Sequence, residues 1–157
     1  MWLDVPFVKQ SKEGCGSAAI SMILQYWKAH GTRIDDKRAD AKAIQEQLYS
    51  PSDRGIRASA MEQYLKESGF RVFPINGNWN DIKEQLKQGR PMIVSLQPKS
   101  GDPLHYAVLT GIDWEKDAVF LHDPARGQLL RIERAEFERE WRARQNWMLL
   151  AVPEKAA

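Results

Sequence analysis

The chain is poor in the residues on which several classes of protein depend. Its 157 residues include a single cysteine and three histidines. One cysteine excludes an intramolecular disulfide framework and any zinc site that is built from several cysteines. No apolar run approaches the roughly 18 residues that span a membrane, and metal, nucleotide and flavin signatures are absent. The sequence therefore predicts a protein without a transmembrane segment, a metal or a cofactor.

An excess of charge of one sign is also lacking, since 23 basic residues nearly balance 21 acidic ones. This balance gives no argument for a nucleic acid or an anionic membrane as a partner. The N-terminal stretch MWLDVPFVKQ has no basic segment followed by an apolar one, so no signal peptide is visible. As written, the sequence predicts a cytoplasmic protein. The alternative is an excised domain whose export signal was removed and which acts outside the cytoplasm. The sequence does not predict an oligomeric state.

The length and the hydrophobic content of 43% predict one domain, residues 1–157, with a substantial core. Apolar periodicity predicts helices at 15–30, 35–49, 59–68, 81–88 and 134–141. It predicts strands at 70–75, 91–96, 105–112, 118–122, 128–132 and 147–152. Because helices dominate the first half and consecutive antiparallel strands the second, we expect an α+β fold. In this fold the N-terminal helices pack on a C-terminal antiparallel sheet.

The one cysteine, Cys15, lies between Gly14 and Gly16 at the start of an amphipathic helix. A helix N-terminus favours an anion, which here would be the thiolate of Cys15. Gln10, five residues upstream, carries an amide that could donate to an oxyanion beside the backbone N–H of Cys15. These features predict a nucleophilic cysteine rather than a small buried hydrophobic residue, which is the common alternative for a free cysteine.

A nucleophilic cysteine needs a base, and the histidines are the candidates. His30 ends the helix that Cys15 begins and is therefore roughly 22 Å away along it, which is too far. His105 opens one predicted strand, whereas His122 ends the next strand directly before Asp123. The choice between His105 and His122 depends on how these two strands pair.

A hairpin that turns at 113–117 would place Ala107 opposite Asp123, and His105 on the face of Asp123. The backbones of His105 and Asp123 would then be about 7–8 Å apart. A register slipped by one residue would bring His105 to His122 instead. We favour the first register because the Asp123 carboxylate would orient the His105 ring and stabilise its imidazolium. His122 is then predicted to be structural.

Six pieces of the sequence carry a resemblance in the right order: VPFVKQ, CGSAAISMIL, GRPMIVSL, HYAVLTGID, VFLHDPARG and EFEREW. Together they resemble the C39 family of cysteine peptidases, a branch of the papain-like superfamily, from Val5 to about Trp147. The resemblance implies a papain-like fold in a single C39-like peptidase domain. It also implies roles for four residues, with Cys15 as nucleophile, His105 as general base, Asp123 as orienting residue and Gln10 as oxyanion donor.

The sequence departs from the family pattern at two positions. Gly14 stands where many members carry an aspartate, and Gln10 precedes Cys15 by five residues rather than six. Members fused to ABC exporters cut leader peptides after a Gly-Gly pair, but this sequence shows no exporter part, so that task is not implied.

The resemblance implies a cysteine peptidase that acts on an amide bond of a peptide or protein substrate. Two other functions stay open on the same residues. One is a C39-like module that binds peptides without turnover. The other is a thiol acyltransferase or transglutaminase-like enzyme, in which an amine replaces water as the acceptor.

Overall fold

In the computed structural model, which describes residues 1–103 and 105–154, six strands form one antiparallel sheet. The strands are β1 (Phe70–Asn76), β2 (Met92–Ser95), β3 (Tyr106–Asp113), β4 (Ala118–Asp123), β5 (Gly127–Glu133) and β6 (Trp147–Pro153). Their order in the sheet is β1-β6-β2-β3-β4-β5. The helices are α1 (Cys15–Ala29), α2 (Ala41–Leu48), α3 (Ala58–Glu67), α4 (Trp79–Lys87) and α5 (Arg134–Arg142). The predicted domain, 1–157, also includes residues 104 and 155–157, which lie outside the described ones.

Helices cover both faces of the sheet. Along β3, Tyr106 and Val108 belong to a core cluster that includes residues of α1, α2 and α3. The alternating residues Ala107 and Leu109 belong to another cluster, which includes residues of α4 and α5. The alternation follows from the strand period of two. The predicted α+β fold with N-terminal helices on an antiparallel sheet is thus confirmed, and α4 and α5 add a layer on the opposite face.

Helix α1 is buried along nearly its whole length and sets the position of the site. Its apolar residues pack in the first cluster, and its buried hydroxyls find backbone acceptors. Ser21 Oγ donates to the carbonyl of Ala39 at 2.6 Å, and Ser17 Oγ donates to Gly14 at 3.0 Å. The helix ends before Gly31, which adopts a φ of +99°. Cys15 therefore begins a helix whose position is fixed by the core.

Helix α2 is shorter than the helix predicted at 35–49, because it begins only at Ala41. The side chain of Asp40 accepts a hydrogen bond from Ala43 N at 3.0 Å and caps the helix there. Residues 36–39 form turns before this cap. The apolar pattern thus begins several residues before Asp40, the capping residue at which the helix starts.

The β3–β4 pairing changes register at a bulge between Leu109 and Gly111. Near the turn Asp113 faces Ala118, so the predicted register is wrong there by one residue. Beyond the bulge Val108 faces His122, as predicted. The predicted register is therefore correct at the end of the hairpin that carries His105.

The N-terminal segment runs beside this bulge, beyond the end of β2. Trp2 forms a bridge to Gly111, and Leu3 N donates to the carbonyl of Thr110. Ile112 N donates in turn to the carbonyl of Met1. The first three residues thus continue the sheet next to the second half of β3.

Candidate active site

The predicted site residues meet at one cleft of about 390 Å³. Its walls come from four separate stretches of the chain. The residues that line it are Gln10, Glu13, Cys15, Arg54, Pro98, Lys99, Asp102, Pro103, His105, Ala125 and Arg126. Asp123 lies behind this wall and is fully buried. The structure thus brings together the four residues that the sequence singled out.

Cys15 is the first residue of α1 and is 6% exposed. Among the described residues, no side chain caps the helix at Gly14. The backbone N–H groups of the first turn therefore remain oriented toward the space in front of the cysteine. An anion that forms at this end of α1 is favoured by these groups and by the helix dipole.

His105 directly precedes β3 and lies between Cys15 and Asp123. Its Nε2 is 2.8 Å from Oδ2 of Asp123, and the ring is also hydrogen-bonded to Cys15. Burial disfavours the charged ring, but the hydrogen bonds with Asp123 and Cys15 outweigh it and raise the pKa of His105 to about 9. At neutral pH the imidazolium is therefore the favoured form.

Asp123 is hydrogen-bonded to His105 and closes a turn. Its Oδ1 accepts from the backbone N–H groups of Ala125 and Arg126, both at 3.0 Å. Its Oδ2 accepts from Nε of Arg126 at 2.7 Å as well as from His105. Burial raises the pKa of Asp123, but the hydrogen bonds with His105 and Arg126 prevail and lower it to about 2. The group is thus a carboxylate with a fixed orientation.

Gln10 lies beside the turn that Asp123 closes, because its backbone N–H donates to the carbonyl of Pro124 at 3.3 Å. Its side chain lines the cleft with Cys15. In the described part of the chain, the buried Oε1 of Gln10 has no hydrogen-bond partner. The oxygen and nitrogen of a glutamine amide are assigned from their partners. One polar atom of this buried amide thus makes no hydrogen bond within the described residues.

In the short loop between Gln10 and Cys15, residue 14 packs closely against Ser11. Gly14 N donates to the carbonyl of Ser11 at 3.0 Å. A Cβ at residue 14 would lie 2.9 Å from Ser11 Oγ and 3.1 Å from the Ser11 carbonyl oxygen. A side chain at residue 14 would thus require the Ser11 side chain to rotate and the backbone of this turn to shift slightly.

Sequence reasoning missed Glu13, which precedes Cys15 by two residues and has a φ of +54°. Its carboxylate accepts from the Tyr49 hydroxyl at 2.7 Å and from Arg54 Nε at 2.8 Å. These two hydrogen bonds lower the pKa of Glu13. They tie the loop before Cys15 to the end of α2 and to the turn that follows it. Only its place before Gly14 and Cys15 could have drawn attention to it.

The prediction that His122 is structural agrees with its contacts. His122 is buried, and its Nε2 bonds to the carbonyl of Val5 at 2.7 Å while Nδ1 accepts from Leu129 N at 3.1 Å. Burial lowers the pKa of His122. Both ring nitrogens are used away from the cleft. His30 lies at the opposite end of α1, stacked on Tyr26.

Several solved C39 peptidase domains have a fold similar to that of this chain. The peptidase domain of Streptococcus ComA, a bifunctional ABC transporter, is 19% identical, with a TM-score of 0.73 over 94% of this chain and 98% of that one. A double glycine motif protease of an AMS/PCAT transporter, solved with its leader peptide, is 21% identical. Its TM-score is 0.71 over 97% of this chain and 94% of that one. A C39-like protein from Bacillus anthracis is 16% identical, with a TM-score of 0.76 over 99% of this chain and all of that one.

The fold of this chain is thus that of C39 peptidase domains. The sequence of residues 2–148 matches the profile of the Peptidase_C39 like family, and the chain belongs to this family. A comparison with curated proteins found no match.

Two features are absent from the part of the chain that the structure describes. None of its helices is both long and apolar enough to cross a membrane. Within the same residues, no group of three or more histidine, cysteine, aspartate or glutamate side chains is arranged to hold a metal ion.

Proposed function

We propose that this protein is a cysteine peptidase that hydrolyses an amide bond of a peptide or protein substrate within a single domain. Cys15 is the nucleophile, His105 the general acid and base, and Asp123 the residue that orients His105. Gln10 and the backbone N–H of Cys15 form the oxyanion hole. The observation that carries the proposal is the His105 ring, hydrogen-bonded to both Asp123 and Cys15 on the wall of an open cleft.

The charges of the site support the first step. With the pKa of His105 raised to about 9, the ring is an imidazolium at neutral pH. A cation beside a cysteine at a helix N-terminus favours the thiolate, which is the nucleophilic form. Asp123 is an anion at neutral pH because its pKa is about 2, so the His105 imidazolium keeps the carboxylate as its partner. An ion pair of thiolate and imidazolium is the starting state of the reaction.

The reaction then runs in two halves. The Cys15 thiolate attacks the carbonyl carbon, and the oxyanion that forms is stabilised by Gln10 and the Cys15 N–H. His105 gives its proton to the leaving amine as the C–N bond breaks, which leaves a thioester. The neutral His105 then takes a proton from water, and the resulting hydroxide attacks the thioester. The tetrahedral intermediate collapses, which releases the acid and returns the thiolate and the imidazolium.

A peptide ligand is supported by the related domain that was solved in complex with its leader peptide. The volume of the cleft, about 390 Å³, lies in the range of sites that bind small ligands or a few residues of a chain. The cleft is flanked by Pro98, Pro103 and Ala125 as well as charged groups, so it offers apolar contacts beside the reacting atoms.

The decisive experiment follows cleavage of a proteome-derived peptide mixture by mass spectrometry. We expect new termini with the wild type and none with Cys15→Ser, whereas His30→Gln, at the far end of α1, should cleave normally. Removal of the nucleophile or of its base typically costs several orders of magnitude in kcat. Cleavage that survives Cys15→Ser would contradict the proposal.

The thiol itself gives a readout that needs no substrate. At pH 7, iodoacetamide should alkylate Cys15 at least about tenfold more slowly in His105→Ala than in the wild type, because the thiolate loses its cation. Equal rates, together with peptide binding but no cleavage, would favour a binding module instead. Amine acceptors that appear in the products would identify an acyltransferase.

A further inference from the structure

A chain of charged groups runs from Asp123 through Arg126 to Glu140. Arg126 donates through Nε to Asp123 Oδ2 at 2.7 Å. The same guanidinium donates through Nη2 and Nη1 to the two carboxylate oxygens of Glu140, at 2.9 and 3.2 Å. Asp123 is fully buried, and the side chain of Glu140 is 2% exposed. Arg126 thus connects two buried carboxylates, one of which holds His105.

Glu140 is anchored by the packing of α5. Its helical neighbours Phe137 and Trp141 are buried in the second core cluster. The carbonyl of Glu140 also accepts from the backbone N–H of Gln97 at 3.0 Å, at the start of the loop that leads to His105. Since α5 cannot shift without disturbing this cluster, the Glu140 carboxylate is a fixed point for the guanidinium.

We propose that Arg126, held by Glu140, is a positioning residue that fixes the Asp123 carboxylate and sets the charge state of His105. The inference rests on the proposed function, because it assigns a role in the chemistry of His105, but its NMR test needs no turnover. His105 and Arg126 bond to the same oxygen of Asp123, so the guanidinium helps the turn at Oδ1 to hold that oxygen toward His105. A guanidinium bonded to two carboxylates through a planar fork is a rigid support of this kind.

The two residues should act on His105 with opposite signs. The cation of Arg126 opposes the nearby imidazolium, whereas the anion of Glu140 offsets that cation. Loss of the Arg126 charge should therefore make His105 harder to deprotonate. Loss of the Glu140 charge should make His105 easier to deprotonate.

The other titratable or charged groups near His105 are the same in the wild type and in both variants. They lie on several elements and comprise Cys15 on α1, Glu13 and Arg54 across the cleft, Lys99 and Asp102 in the loop before His105, and Arg144 bonded to the backbone of that loop. Changes in the titration of His105 can thus be assigned to the Arg126–Glu140 pair.

The test compares Arg126→Gln and Glu140→Gln with the wild type. The titration of His105 is followed by NMR, with the resonance assigned from a His105→Gln spectrum. We expect the midpoint to rise by at least about 0.5 pH unit in Arg126→Gln and to fall by a similar amount in Glu140→Gln. The high-pH limb of kcat should move in the same two directions. In Glu140→Gln, kcat should fall about tenfold with KM little changed, since Glu140 lies behind the cleft wall.

The control is Glu138→Gln, which removes a different ion pair of α5, the one with Arg134 at 3.0 Å. It should leave the titration and the activity as in the wild type. If either single variant does not fold, Arg126→Gln/Glu140→Gln removes both charges, and its His105 midpoint should return toward that of the wild type.

Two results would overturn the inference: shifts of the same sign in both variants, or an unchanged midpoint with an effect on KM alone. The NMR readout needs no turnover and so separates this inference from the proposed function. Opposite shifts in a protein that cleaves nothing would uphold the positioning pair and reject the peptidase. Cleavage by the wild type, with no shift of the His105 midpoint in either variant, would uphold the peptidase and reject the positioning pair.

Discussion

At the scale of the residue, two carboxylates at the candidate site also hold the surrounding structure together. Asp123 holds His105 through Oδ2 and closes the turn to Arg126 through Oδ1. Glu13 lies at the cleft and ties its loop to Tyr49. Because these contacts are shared, a substitution here changes stability as well as chemistry, and the two effects have to be separated by their dependence on pH.

The stability that His105 contributes should depend on pH with a definite sign. Folding raises its pKa from 6.5 to about 9, so the folded state binds the proton more tightly. The contribution is complete below about pH 6.5 and is lost as the pH rises through about 9. We expect the difference in free energy of unfolding between the wild type and His105→Gln to shrink over this range, as measured by urea denaturation.

The acid side follows from Asp123, whose pKa falls from 3.8 to about 2 on folding. Its contribution is present above pH 3.8 and is lost as the pH falls through about 2. In an Asp123→Asn background, most of the dependence on His105 above pH 6.5 should disappear, because the main partner of the imidazolium is gone. A difference that stays constant between pH 6 and pH 9.5 in the wild-type background would contradict this account.

At the scale of the element, the N-terminal segment and the bulge of β3 depend on each other. The segment can lie beside β3 only because residue 111 has no side chain. A Cβ there would lie 2.6 Å from the Met1 carbonyl oxygen and 2.8 Å from Trp2 Cα. Such distances require the backbone of one strand to move.

We therefore expect Gly111→Ala to destabilise the protein by about 1–3 kcal/mol, the cost of overpacking a close contact. Thermal unfolding measures the loss. Hydrogen exchange should show faster exchange at Leu3 N and Ile112 N, which donate across this contact. Trp2→Ala is the matched control, because the side chain is 61% exposed and its removal leaves the backbone contact in place. Equal effects of the two substitutions would contradict the role of Gly111.

At the scale of the whole molecule, the sheet joins the two core clusters. Neighbouring residues of β2, β3 and β6 alternate between them, for example Ile93 and Val94. If the helices on one face of the sheet unfold, strands that also form the core on the other face become exposed to water. This arrangement favours unfolding as one unit.

We expect residues 1–157 to unfold in a single transition, with coincident curves from far-UV circular dichroism and tryptophan fluorescence. Leu65→Ala in the first cluster and Leu86→Ala in the second should each shift that whole transition, by about 2–5 kcal/mol, because both side chains are fully buried. Two separable transitions, each sensitive to one of these substitutions, would show two independent units instead.

Local patterns in the sequence were sufficient to predict most of the helices and strands and the position of Cys15. The apolar stripe of α1 and the flanking glycines act within a few turns of chain, so their effect can be deduced without the rest of the fold. The predicted helix at 35–49 is wrong at its start. Periodicity extended the helix back to residue 35, whereas the Asp40 cap makes it begin at Ala41. The pairing of consecutive strands limited the partner of His105 to two registers, and the bulge between Leu109 and Gly111 decided between them.

The sequence by itself thus determined a cysteine at a helix start, two consecutive strands with a histidine and an aspartate, and the likeness to C39 peptidases. Only the tertiary structure decided the register at the turn, where the N-terminal segment packs against Gly111 and the bulge corrects the pairing. It also decided the contact of Arg126 with Glu140, which depends on where α5 packs on the sheet. The physical reason is the same in both cases. Contacts between residues far apart in sequence are set by how whole elements bury their apolar faces, and no local period records that choice.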